Sequence, residues 1–488
     1  MPRIPGRLAA LSALLLAATA ATTVGAQSTT ATATLTAHQR LARDVYRELI
    51  EINTVDSVGS VTKAAEAMAA RFRAAGFPAA DVQLLGPADK PTKTNLVVRY
   101  RGRGGPGAAK PILLIAHLDV VAANRADWPR DPFVLHEEGG YFLGRGTIDD
   151  KAMAAIFVAN LLRWKQQGYV PARDVVLALT ADEESGNANG AEWLTKNHRD
   201  LIDAAYAINE GAQGALDGDR PVYLAVQAAE KIPVNYTLTT TNPGGHSSIP
   251  RPDNAITQLA DALARLARSP FPVALNPVST AFFAQTAKVE KPEMAAAMRA
   301  LVANPLDSAA AATVSRNPVY NSMLRTTCVA TRLSGGHAYN ALPQTASANV
   351  NCRIVPTQSP ADVLAALARI VADSAVKVTF TFPPDDEHTP PAPRPVDPEL
   401  LAAVTSLTRA TWGNIPVIPV MSTWATDGAY LRAAGIPTYG VNGLFTVPGE
   451  ENMHGRDEKL RVRSFYEGLD FLDQLVRRVA GPPARPRA

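Results

Sequence analysis

The sequence predicts an α/β protein in two parts: a mixed, largely parallel sheet flanked by helices, and a self-contained βαββαβ unit inserted into it. Three observations predict this. Short β-branched runs alternate with helical stretches over the first part of the chain, the pattern changes after about residue 230, and it resumes at Pro398. At 488 residues the chain is also too long for one ordinary domain.

The first 26 residues stand apart from the rest. Arg3 and Arg7 precede the apolar run LAALSALLLAATAATTV, and Val24-Gly25-Ala26 closes it with the small residues that a signal peptidase requires. The run is too short and too rich in Ala and Thr for a membrane anchor, so the segment 1–26 reads as a removable signal peptide. The mature protein is then expected outside the cytoplasm, in the periplasm or the medium, with no membrane attachment.

The catalytic portion is expected over 27–229 and again over 389–480. Three strands are read from NLVVRY, PILLIAHLDVV and DVVLALTADEE, and a fourth from AAYAINEG. Between them KAAEAMAARFRAAG and KAMAAIFVANLLRWKQQG carry helical periodicity. Such alternation builds βαβ units. Acidic residues cluster at the carboxyl ends of these strands, where open α/β sheets place their ligands.

The inserted unit is expected over 230–388. VNYTLTTT, NAITQLADALARLA, RTTCVATRLSGG, TASANVNCRIV, ADVLAALARIVADS and VKVTFTF read as strand, helix, strand, strand, helix and strand, the ferredoxin-like order. A longer excursion falls near 271–318. The Pro-rich stretch PPDDEHTPPAPRPVDP returns the chain to the first domain, and the tail 481–488 is expected to be disordered.

Composition excludes several functions. Hydrophobic residues make up 47% and charged residues 19%, so a core can form and wholesale disorder is excluded. A net charge of +3, with no basic run interleaved with aromatics, argues against nucleic acid as a partner. Aromatic residues at 6% offer no stacking surface for bases or long glycans. Cys328 and Cys352 lack the spacing of a zinc knuckle or a redox motif, and a cross-strand disulfide and two buried thiols both remain open.

The chemistry is carried by five short stretches. His117 in IAHLDVV ends a strand, with Asp119 two residues on to accept its second ring N–H; alone, such a pair is as readily structural. Asp149 in GRGTIDDKAM lies at a turn into a helix, where an acidic pair could simply cap it. Glu183 and Glu184 in ADEESG are harder to dismiss, because like charges at a sheet's ligand end need a cation or a shared proton. Glu210 in AINEG ends a further strand, and His454 in ENMHGRDEKL lies far along the chain. Together they offer two histidines and three carboxylates as ligands, with one glutamate left over, a set that suits two zincs sharing a carboxylate.

IAHLDVV, DWPRDPF, YFLGRGTIDDK, ADEESG, NEG and MHGRDE, in this order, resemble the dinuclear zinc metallopeptidase family of aminoacylase, carboxypeptidase S and carnosine dipeptidase. The carboxypeptidase S and secreted N-acyl-amino-acid hydrolase branch is the nearest in character, and the resemblance spans nearly all of the mature chain. It implies a zinc-peptidase catalytic domain with an inserted lid or dimerisation domain. It implies that Asp149 bridges two Zn2+ ions, with the following peptide bond to Asp150 cis. His117 and Glu210 would complete one site and Glu184 and His454 the other, while Glu183 would act as general base on the water between them. Co2+ or Mn2+ would suit the same ligands. Many relatives carry Asp-Glu-Gly where this chain has Asn209-Glu210-Gly211; Glu210 is preferred as ligand because it keeps a carboxylate.

The resemblance extends into the second unit. His246 in NPGGHSS would stabilise the oxyanion, often from a partner subunit, which would require a homodimer. Asn340 in GGHAYNALP and Arg353 in NVNCRIVP would hold the substrate carboxylate. Asp427 matches a family motif without a specific task, and His388 reads as surface or structural, as do His38, His136 and His198. The expected function is hydrolysis of a small peptide or N-acyl amino acid at the bond beside a free carboxylate. The alternative is a non-catalytic protein that binds metal or peptide on the same fold.

Overall fold

Ile112–His117 and Val175–Thr180 are buried at every position, as apolar strands covered on both faces must be. They lie at the centre of a ten-stranded sheet in a computed structural model that describes residues 34–104, 109–383 and 392–481. The elements discussed below belong to the unit that begins at Ala37. The expected leader, His388 and the tail beyond Gly481 lie outside the described residues.

The sheet runs Val82–Leu85, Asn95–Tyr100, Val175–Thr180, Ile112–His117, Tyr206–Asn209, Thr438–Gly440, Arg220–Glu230, Gly214–Asp217 and Phe445–Thr446. Val417–Ser422 joins it beside Arg220–Glu230, in parallel. The strands from Val175–Thr180 to Thr438–Gly440 are parallel, whereas both pairings on the Val82–Leu85 side and that of Gly214–Asp217 with Arg220–Glu230 are antiparallel. The sheet is therefore mixed, with its parallel character concentrated where the acidic strand ends converge. His117 stands directly across from Thr180, so the segments leaving these strands emerge side by side.

Helices cover the sheet. Lys151–Gln166 is buried along most of its surface, between the sheet and the helices Ala37–Glu51 and Val462–Ala480. The last of these places Phe465, Leu469, Leu472, Val476 and Val479 on one face at helical spacing.

A second sheet, antiparallel throughout, has the order Thr327–Gly335, Thr345–Ile354, Ile232–Thr241, Val376–Phe380. Helices Ala255–Arg268 and Pro360–Val371 close a separate core on it around Tyr236, Leu259, Val350 and Leu367. The excursion near 271–318 behaves differently. Its helices, Pro277–Thr286, Pro292–Ala303, Ser308–Val314 and Pro318–Leu324, pack Phe283, Met298, Leu301 and Leu324 against Ala225, Ile418 and Val420 of the large sheet. The segment expected at 230–388 is thus divided in its packing, and the stretch that reads only as an excursion is helical and covers the large sheet.

Cys328 lies opposite Cys352 in the strand register, and the two form a disulfide. Neighbouring positions on paired strands bring the side chains close enough for the bond. The protein denatured without reductant should show no titratable thiol, and two free thiols would exclude the bridge. Since the bridge spans 24 residues, its removal should lower stability by about 3 kcal/mol on a chain-entropy basis. Among the described residues, no helix is long and apolar enough to cross a membrane.

Candidate metal centre

The site forms where the parallel strands end. His117 is 2% exposed, and its Nε2 lies 2.9 Å from Asp149 Oδ1 and 3.9 Å from Glu210 Oε1. The nearer partner of its Nδ1 is the backbone carbonyl of Asp119 at 3.0 Å, with the Asp119 carboxylate at 3.6 Å. The carboxylate expected to fix the His117 tautomer lies beside the ring and has a further task. It accepts the backbone N–H groups of Glu183, at 3.1 Å, and Glu184, at 2.9 Å, and so shapes the turn that presents both glutamates. Within that turn Asp182 has a φ of 65°, an uncommon conformation for a residue with a Cβ. It is held by an ion pair to the buried Lys93.

The peptide bond from Asp149 to Asp150 is cis. Helix Lys151–Gln166 starts immediately after, yet Asp150 at its N-cap makes no side-chain capping bond, so capping does not account for the acidic pair. Asp149 instead divides its two oxygens between two histidines. Oδ1 faces His117 Nε2 and Oδ2 faces His454 Nε2, each at 2.9 Å. His454 reaches Glu184 Oε1 at 3.1 Å. Asn209 is buried with its amide nitrogen unpartnered, and Glu210 is the residue that approaches His117. Gly211 follows with a φ of 113°, and a Cβ there would meet the Gln227 side chain at 1.8 Å.

Burial opposes ionisation of Asp149, but hydrogen bonds from His117 and His454 hold its carboxyl well below the usual range. Burial likewise opposes charge on His117, and Asp119 and Asp149 overcome it, raising the ring well above its ordinary value. Contacts with Asp149 and Glu184 lift His454 to about 10. Glu183, Glu210 and Asp150 are pushed well above the carboxylate range, first by burial and then by each other's charge, with His117 opposing. So many carboxyl groups in a dry cluster call for cations. His117, Asp149 and Glu184 form one group, and His117, Glu183 and Glu210 a second, in which the donor atoms lie within 4.8 Å of one another. Imidazole nitrogen and carboxylate oxygen at such spacing fit zinc or a similar divalent ion.

The second unit divides its expected residues. His246 and Asn340 come together on a two-stranded ribbon, where His246 pairs with Ala341 and Ser247 N donates to Asn340 O. Both side chains are exposed. Arg353 lies toward the other end of the four-stranded sheet, opposite Pro233, whereas the ribbon follows Thr241. Eight residues of strand separate those ends, roughly 25 Å at the usual rise. Burial lowers the Arg353 pKa, and burial with the Arg353 charge brings the adjacent Lys231 to about 7.

Sequence reasoning left three buried groups without a task. Asp427 accepts from Thr180 Oγ1 at 2.6 Å and Asn189 Nδ2 at 2.7 Å, tying the segment that bears Glu183 and Glu184 to the later part of the chain. Burial raises its pKa to about 6, against those two hydrogen bonds. Arg145 and Glu458 form a fully buried ion pair at 2.6 Å. Arg145 and Glu458 stand inside the quoted motifs, but charged residues in Gly-containing loops ordinarily face solvent, and no local periodicity marks any of the three as internal.

Residues 113–478 match the sequence profile of Peptidase family M20/M25/M40. The chain is 29% identical over 391 residues to the N-fatty-acyl-amino acid synthase/hydrolase PM20D1 of Homo sapiens, covering 77% of this chain and 75% of that one. It is 27% identical over 395 residues to the probable carboxypeptidase S-like 2 of Dictyostelium discoideum, covering 78% and 74%. Its fold resembles that of a metallo-carboxypeptidase from Sulfolobus solfataricus, with a TM-score of 0.65 at 18% identity over 89% of this chain and 98% of the other.

Proposed function

This chain belongs to Peptidase family M20/M25/M40, and from that premise we propose that it is a zinc-dependent hydrolase cleaving a peptide or amide bond beside a free-carboxylate amino acid. The observation that carries the proposal is Asp149 with one oxygen toward His117 and the other toward His454, ringed by Glu183, Glu184 and Glu210. In this reading Asp149 would be shared between two metal positions, with His117 and Glu210 holding one and Glu184 and His454 the other. Zinc, or Co2+ or Mn2+ in its place, would supply Lewis acidity toward the scissile carbonyl and lower the pKa of water.

The remaining work falls to side chains. Glu183, not needed as a ligand, takes the proton of the attacking water and delivers it to the leaving nitrogen. Burial raises its carboxyl above the usual range, the direction that favours taking up a proton. Asp119 fixes the turn on which Glu183 and Glu184 stand. Arg353 and Asn340 hold the substrate carboxylate, and His246 stabilises the oxyanion.

The separation of His246 and Asn340 from Arg353 supports a site completed by a second copy of the chain. In our reading the four-stranded sheet is an inserted ferredoxin-like lid and dimerisation domain within 230–388, between catalytic portions at 27–229 and 389–480. The edge strand Thr327–Gly335 supports this, since it exposes Val329 and Leu333. The leader 1–26 directs the protein to the periplasm or the medium.

The test is hydrolysis by zinc-loaded mature protein of dipeptides, N-acyl amino acids and the C-terminal amides of both. Free acids should be cleaved and amides should not, and a chelator should abolish the reaction. Equal rates on acids and amides would remove the carboxylate clamp, and no cleavage of either would move the weight to a binding role.

A further inference from the structure

We propose that Arg145 and Glu458 are positioning residues that lock the Asp149 loop to the His454 loop, so that Asp149 can serve both metal positions at once; this rests on the hydrolase reading above. Glu458 is 0% exposed and lies four residues beyond His454. Its Oε2 accepts from Arg145 Nη1 at 2.6 Å and Gly146 N at 3.1 Å. Its Oε1 accepts from Ile148 N at 2.9 Å and Asp149 N at 3.3 Å. One side chain thus gathers three backbone N–H groups of the loop ending in Asp149, together with a guanidinium from the same loop.

The contact is reciprocal. Arg145 Nη2 donates to Gly455 O at 3.0 Å, next to His454, and its guanidinium lies 5.3 Å from the Trp128 ring. Gly144 N donates to the backbone carbonyl of Glu458 at 3.1 Å. Gly146 is needed for the loop to fold in this way, since its φ is 85° and a Cβ would meet Val120 Cγ1 at 2.9 Å.

Two features separate Glu458 from the acids of the metal centre. Both of its oxygens already accept two N–H groups, which leaves it no lone pair for a cation. And a buried ion pair is poor at adding stability compared with apolar residues of similar size, so its value here lies in fixing geometry. An apolar residue at 458 could fill the volume but could not orient the loop amides of Gly146, Ile148 and Asp149.

The experiment is zinc titration against a chromogenic chelator, together with kcat and KM, for wild type, Glu458→Gln and Arg145→Lys. Glu458→Gln keeps the shape but turns an NH2 group toward loop N–H donors. It should weaken the affinity for zinc by roughly 10–100-fold, the range found for groups directly behind metal ligands, and lower kcat with KM little changed. Arg145→Lys keeps the charge but loses the two-pronged reach, and should give a smaller loss of the same kind. This variant reads the same quantity if Glu458→Gln fails to fold. A purely structural pair would lower the melting temperature and leave the zinc affinity of folded protein unchanged, and that result in either folded variant overturns the clamp. Absence of zinc uptake by wild type overturns the hydrolase reading and the clamp with it, whereas normal uptake by wild type and variants alike overturns the clamp alone.

Discussion

Glu183→Gln should retain two bound metal ions and a native circular dichroism spectrum while losing roughly 10²–10⁴-fold in kcat, the range for a general base. The argument starts from position. Glu183 lies with His117 and Glu210, whereas its neighbour Glu184 lies with Asp149 and is contacted by His454. Adjacent residues on one turn therefore face different partners, and only one of them is needed to complete a ligand set. Gln is isosteric, and the hydrogen bond that seats this residue is made by its backbone N–H to Asp119. The turn should survive the change. What disappears is a carboxyl able to accept a proton. KM should move little, because the residue makes no binding contact in the proposed reading. Metal analysis by atomic absorption separates the outcomes: full metal with normal turnover would remove Glu183 as base, and loss of metal would make it a ligand.

Much of this centre was legible because its residues stand at the ends of strands that announce themselves. IAHLDVV, DVVLALT and AAYAIN are short apolar runs, and a charged residue closing such a run in a parallel sheet has one place to go. The register of His117 across from Thr180 then brings the following turns together without further information. The candidate ligand positions could thus be listed in order along the chain.

What stayed hidden depends on three-dimensional partners that leave no periodic trace. The Asp119 carboxylate was expected on His117, two residues away, but that it also holds the amides of Glu183 and Glu184, 64 and 65 residues away, was not legible. Glu458 reads as one more charge in a polar loop until the amides of Gly146, Ile148 and Asp149 are seen around it. The stretch near 271–318 reads only as an excursion; its helices, and their attachment to Val417–Ser422, a strand that follows about 90 residues later, go unread. Likewise the motif residues His246, Asn340 and Arg353 could be picked out singly, and only the strand register places the first two at one end of a sheet and the third toward the other.

Asp149→Asn should affect both metal positions together. The Asp149 carboxylate gives one oxygen toward each histidine, and the amide keeps only one. In the metal-free protein the amide removes the charge that both raised histidines face, so the fold should persist with a melting temperature somewhat below that of wild type. Metal binding should not persist. Changing a group behind a ligand already costs about 10–100-fold in affinity, and here the ligand itself is altered. The content should fall from two ions per chain to one at most. Hydrolysis should fall further than in Glu183→Gln, because that variant retains the metals. Thermal unfolding supplies an independent measure: a hundredfold loss of affinity removes about 2.7 kcal/mol of ligand-linked stability per ion. The melting temperature gained on adding zinc should therefore shrink in Asp149→Asn and stay unchanged in Glu183→Gln. Two tightly held ions in Asp149→Asn would mean that this carboxylate is not shared, and that the pairing of His117 and His454 around it has another cause.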